Sequence, residues 1–196
     1  MLGLKLPTDP RWVNLAEMSL ENILTDHAYC EQKAASNAIS IIVHYPQYTE
    51  LVDAMTEICQ EEMSHFKMVH DKIIERGLRL GFERKDPYVN DLSNYLKQSK
   101  TNSSKEGMFV NKMLFAAMIE ARSCERFKIL SEELQDEDLK KFYRSLMESE
   151  ARHYTTFIGF ARKYSNGIDV DACWQDLLEF EASLMKTYGK KETMHG

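Results

Sequence analysis

Two stretches decide the fold: GluGluMetSerHisPhe at 61–66 and GluSerGluAlaArgHisTyr at 148–154. Each holds a Glu-x-x-His motif, Glu62 with His65 and Glu150 with His153. Residues three apart on a helix lie about 60° apart around its axis, so each Glu and its His share a face. The flanking residues say which face. Around the first pair run Leu51, Met55, Ile58, Val69 and Ile73; around the second run Leu139, Phe142, Leu146, Phe157 and Phe160. Both pairs therefore stand mid-helix on an apolar seam, which a solvated charged face would not provide. One such motif arises often by chance in acidic helices. Two, on alternate helices, form a much stronger signal.

Working outward, helical periodicity extends over four long stretches. The first is expected from about Pro10 to Tyr45, and the second from Pro46, as its opening residue, to about Arg76, stopping at Gly77. The third follows ThrAsnSerSer at 101–104 and runs to about Leu134. The fourth follows GlnAspGluAsp at 135–138, whose acids suit a helix N-terminus, and stops near Asn166 and Gly167. Shorter helices are expected near Asp86–Gln98 and Asp171–Tyr188. Long helices joined by short gaps, with one longer connection after the second, predict an antiparallel four-helix bundle with additional short helices. With 196 residues, only 8 Gly and 4 Pro, the chain is expected to be a single all-α domain spanning 1–196.

The first and third helices each supply a matching carboxylate. Glu31 lies on a stripe with Leu20, Leu24, Ala34, Ala38 and Ile41; Glu120 lies on one with Met113, Ala117, Cys124 and Phe127. Glu125 rivals Glu120, but Glu120 has the better apolar stripe and precedes Glu150 by nearly the spacing that separates Glu31 from Glu62. The two halves thus repeat one helix pair, each giving Glu and then Glu-x-x-His. Four carboxylates and two imidazoles facing a dry core are prohibitive alone, whereas two divalent cations match the four negative charges. An oxygen-rich set with one nitrogen per metal suits iron or manganese better than tetrahedral zinc. This is the pattern of ferritin-like di-iron bundles, with Glu31, Glu62, His65, Glu120, Glu150 and His153 as expected ligands. His27 sits one turn before Glu31, as a partner of that ligand, as an extra ligand, or as a core histidine bonded to a backbone carbonyl.

The segments HisAlaTyrCysGluGlnLysAlaAla (27–35) and GluAlaArgSerCysGluArgPhe (120–127), with 61–66 and 148–154, resemble one bacterial family along nearly the whole chain. That family is the tRNA hydroxylase acting on methylthio-isopentenyl-adenosine. The resemblance implies a non-haem di-iron monooxygenase that hydroxylates the isopentenyl side chain of the modified adenosine beside the anticodon. It implies two iron ions as cofactor, dioxygen as co-substrate, an external electron donor such as a reductase, and the tRNA anticodon loop as partner. The six residues named above match the family's ligands, with no departure.

Net charge is −6, which argues against broad nucleic-acid affinity, but the charge is uneven. Between Lys72 and Lys112 there are nine Lys/Arg against five Asp/Glu. Arg76, Arg79, Arg84 and Lys85 cluster after the second helix with Phe82 and Tyr88 interleaved, a patch suited to phosphates and a splayed base. An ordinary solvated loop is the plainer alternative. The start MLGLKLPTDPRW lacks the basic flank and apolar run of a secretory signal, and no apolar stretch approaches a membrane span. Cys30, Cys59, Cys124 and Cys173 are scattered without a CxxC pair, as reduced thiols of a cytoplasmic protein would be. Competing functions are a ferritin-like oxidase, peroxidase or iron-handling protein, a manganese catalase sharing the ligand set, and a metal-free helical scaffold. A rubrerythrin would usually bring a CxxC iron domain, which this chain lacks.

Overall fold

Caps and breakers set the helix boundaries in the computed structural model, which describes residues 2–188 and 193–195. The helices are α1 (Trp12–Met18), α2 (Leu20–His44), α3 (Thr49–Glu75), α4 (Pro87–Gln98), α5 (Lys105–Glu133), α6 (Glu137–Lys163) and α7 (Val170–Met185). A 3-10 turn, Lys100–Ser103, precedes α5, and there is no strand among the described residues. The chain divides into two compact units. One is built on α2 and α3, within Ala16–Lys85, and takes in Met194; the other holds α4 to α7, the N-terminal segment up to Leu15, and His195.

In the first unit α2 and α3 form an antiparallel hairpin. Its turn is closed by Tyr48 N–H donating to the Tyr45 carbonyl at 3.2 Å. Pro46 therefore occupies the second position of a β-turn, which suits its fixed φ, instead of opening the next helix as expected. At its far end α3 stops in a Schellman motif. Gly77, at φ +68°, donates to Ile74 O at 2.9 Å, and Leu78 N–H donates to Ile73 O at 3.0 Å. The expected single helix from Pro10 to Tyr45 is broken in two at Ser19, whose φ of −130° and ψ of 42° leave the helical region. The apolar pattern carries across that one residue, so periodicity alone could not mark the break.

In the second unit side-chain caps do the same work. Asp86 accepts from Tyr88 N and Val89 N at the start of α4, Ser104 from Gly107 N at α5, Asp136 from Asp138 N and Leu139 N at α6, and Asp169 from Ala172 N at α7. Acidic Glu137 and Asp138 open α6, and basic Arg162 and Lys163 close it, both in the sense the helix dipole favours. Tyr95 of α4 stacks on Phe180 of α7 with ring centroids 3.9 Å apart. Gly107 is the tight point of this unit, because a Cβ there would lie 1.6 Å from the backbone oxygen of Thr101. Gly107→Ala must displace the 3-10 turn. It is expected to cost about 1–3 kcal/mol, read as a lower denaturant midpoint, and an unchanged midpoint would refute the packing account.

Candidate metal centre

Each unit buries a Glu, Glu, His triad. On α3 the residues that lose contact with solvent are Leu51, Met55, Ile58, Glu62, His65, Val69 and Ile73, the full seam expected from the sequence. The Glu-x-x-His pair is thus carried inward by the same period that buries its apolar neighbours. Glu31 of α2 is buried with it. His65 Nδ1 lies 3.3 Å from Glu62 Oε2 and 3.7 Å from Glu31 Oε2, and one donor atom from each of the three lies within 4.8 Å of the others.

In the other unit Glu120 of α5 meets Glu150 and His153 of α6, again with donor atoms within 4.8 Å of one another. All three are buried. The α6 seam departs slightly from expectation, since Phe160 is only half-buried while Ile158 and Ala161 are buried. On α2, likewise, Ala35 is buried and Ala34 half-buried.

The choice between Glu120 and Glu125 is visible in their partners. Glu125 accepts from Thr8 Oγ1 at 2.6 Å, from Thr8 N at 2.8 Å and from Arg122 Nη1 at 3.0 Å. It is committed to an ionic network, whereas Glu120 faces the Glu-x-x-His pair. Arg122 is fully buried and also donates from Nε to Glu181 Oε1 at 2.9 Å, and Tyr88 Oη donates to the same oxygen at 3.1 Å. The Arg126 guanidinium lies 4.0 Å above the Trp12 ring. Burial, with the nearby Arg122 charge adding to it, pulls Arg126 down to about 9. Glu181 and Thr8 escaped the sequence reading. Glu181 could have been found from its place among Leu177, Leu178 and Met185, but Thr8 had no local signal.

In the first triad the charges of the side chains act on one another. Burial alone would raise the Glu31 carboxyl, but hydrogen bonds from His27 and His65 outweigh it and hold Glu31 well below the usual range. Burial likewise opposes a charged His65, yet Glu31 and Glu62 raise it to about 10. The two carboxylates thus favour the charged imidazole that burial alone would disfavour. His27 Nε2–H donates to Glu31 Oε1 at 2.6 Å, so His27 fixes a ligand-type carboxylate from the side. Cys124 donates to the Met147 carbonyl at 3.3 Å, and burial pushes its thiol up to about 12. It is an uncharged thiol and not a thiolate ligand. Each triad offers two carboxylates and one imidazole, a donor set that fits iron or manganese.

The expected basic and aromatic patch is corrected at one residue. Tyr88 is fully buried and donates to Glu181, so it is unable to stack on a base. Phe82 is 95% exposed. Among the described residues no helix is long and apolar enough to cross a membrane.

Comparison with known proteins follows the same lines. The sequence model of the tRNA-(MS2IO6A)-hydroxylase (MiaE) family matches residues 2–196. A tRNA 2-(methylsulfanyl)-N(6)-isopentenyladenosine(37) hydroxylase of Pseudomonas putida is 32% identical over 189 residues, covering 96% of this chain and 89% of the relative. The Salmonella typhimurium protein of the same name is 29% identical, covering 98% of this chain and 87% of its own. A solved structure from Synechococcus, a protein with aldehyde deformylating oxygenase activity, superposes with a TM-score of 0.87 at 28% identity. The match covers 98% of this chain and 95% of that one. The fold is the all-α, ferritin-like class.

Proposed function

This chain belongs to the tRNA-(MS2IO6A)-hydroxylase family, and on that footing we propose that it hydroxylates the isopentenyl group of 2-(methylsulfanyl)-isopentenyladenosine in tRNA, beside the anticodon. The observation that carries the reading is the repeated buried triad in a chain matched by this family from residue 2 to residue 196.

In this reading residues 1–196 act as one domain in which Glu31, Glu62 and His65 together with Glu120, Glu150 and His153 hold two iron ions. Four carboxylates balance the four positive charges of a ferrous pair, which supports the joint assignment over two unrelated acidic clusters. Bound there, the irons supply the electrons and Lewis acidity that activate dioxygen towards an unactivated C–H bond. Insertion of one oxygen atom releases the other as water, so two electrons and two protons must come from an external reductase or other donor.

The protein's own contribution is placement and exclusion. The seam residues above and below the triads, Met55, Ile58 and Val69 on α3 and Leu146 and Phe157 on α6, are buried and apolar. They keep water and stray reductants from the oxidant. His27 holds Glu31 ionised and oriented. The six residues act as ligands, and no general acid or base is required. A tRNA substrate places the protein in the cytoplasm, in line with four free cysteines.

The test is to react the iron-loaded protein with isopentenylated tRNA, a reductant and isotopically labelled dioxygen. Nucleoside mass analysis is expected to show one labelled oxygen atom on the isopentenyl-adenosine. Consumption of dioxygen with no change in the nucleoside would return the centre to an oxidase or peroxidase role.

A further inference from the structure

Phe82 is the most exposed of the large apolar side chains among the described residues, at 95%. The segment that carries it is nonetheless tied down. Tyr29 Oη donates to Gly81 O at 3.0 Å, and Gly81 N–H donates to Thr25 Oγ1 at 3.2 Å. On either side Arg79 N–H donates to Glu21 Oε1 and Arg84 Nη2 donates to Asn22 O, each at 3.3 Å. All four anchors lie on α2, the helix of Glu31, and a Cβ on Gly81 would be in ordinary van der Waals contact with Thr25 Cγ2, at 3.4 Å. An anchored loop is therefore holding an aromatic ring out in water, where it gains nothing from burial.

The charges beside the ring are of one effective sign. Of the two acids between α3 and α4, Glu83 is paired with Lys33 at 2.9 Å and Asp86 caps α4. Arg79 and Lys85 are exposed, and their side chains form no ion pair among the described residues. This local cation surplus runs against a chain whose net charge is −6.

We propose that this loop is an RNA contact, in which Phe82 stacks on an unpaired base of the anticodon loop while Arg79 and Lys85 hold the adjoining phosphates. The inference rests on the tRNA-hydroxylase reading and adds to it the residues that recognise the substrate. A ring face accepts any base, and flanking cations at the ends of a short loop match a single-stranded backbone. Tyr88, the other aromatic of the same stretch, is buried and takes no part.

The experiment uses the iron-loaded full chain and an isopentenylated anticodon stem-loop. Phe82→Ala is expected to raise Kd and KM about ten-fold while lowering kcat far less and leaving iron content unchanged, and Phe82→Trp to restore binding. Arg79→Gln with Lys85→Gln is expected to reduce the slope of log K against log salt by roughly 1.4, the share of two phosphate contacts. Unaltered RNA binding in Phe82→Ala, with wild-type hydroxylation intact, overturns this inference alone. So does a Phe82→Ala defect seen only with a protein electron donor and absent with a chemical reductant, which would make the loop a donor-docking surface. A wild-type protein that neither binds nor hydroxylates the RNA overturns both this inference and the function beneath it.

Discussion

Replacing Glu62 or His153 with alanine is expected to leave a folded protein that retains no iron and hydroxylates no tRNA. Each residue is buried among carboxylates and imidazole, so each substitution removes one donor from its triad. Altering the partners behind a metal ligand already costs about 10- to 100-fold in affinity or activity, and removing the ligand itself should exceed that. Helix content by circular dichroism should stay near wild type, since the apolar seams on either side of Glu62 and His153 are untouched. Glu120→Ala should behave in the same way. Glu125→Ala should not, because Glu125 is bound to Arg122 and Thr8. Full hydroxylation by Glu62→Ala or His153→Ala would sink the ligand assignment.

The second large effect concerns stability. Arg122 is fully buried between Glu125 and Glu181, with a further bond from Nη2 to the Leu6 carbonyl at 3.1 Å. Arg122→Ala would strand two buried carboxylates without their counter-charge and release the N-terminal segment from α5. Removing one member of such a buried pair costs about 3–5 kcal/mol, a large fraction of the stability of an ordinary domain. The expected result is a much lower denaturant midpoint, with iron binding retained by whatever protein remains folded. Tyr88→Phe deletes only the hydroxyl that donates to Glu181 and gives a milder case, about 1.5–3 kcal/mol for a bond to a charged group. Midpoints unchanged in both variants would show that this network is energetically idle.

Much of this was legible in the sequence because burial on these helices is periodic. The α3 seam from Leu51 to Ile73, with Glu62 and His65 inside it, is the buried face without a change. Elsewhere the pattern slipped by one position, at Ala35 on α2 and Ala161 on α6, since neighbouring apolar residues compete for the same face. Helix α5 defeats periodicity altogether. Glu120, Arg122, Glu125 and Arg126 are all buried, so a stripe alone could rank Glu120 above Glu125 but could not give the reason. That reason is the pairing of Glu125 with Arg122, one turn away, and with Thr8, which lies 117 residues distant in the chain and is invisible to any local rule. Tyr88 misled for the opposite cause, because its basic neighbours suggested a surface while its hydroxyl is drawn inward to Glu181. The break at Ser19 and the place of Pro46 are backbone events that side-chain patterns do not encode.

Six residues are proposed to act as one centre, and the measurement that tests this first is iron stoichiometry. Protein reconstituted anaerobically with ferrous iron and freed of excess metal should hold about two irons per chain, falling sharply in Glu31→Ala and in Glu120→Ala alike. Loss of both irons in each variant, and not of one, is the result expected if α2 and α5 serve the same pair of ions. Wild-type protein that retains no iron under these conditions would contradict the account, and the buried triads would then be an ion-paired core and not a metal centre.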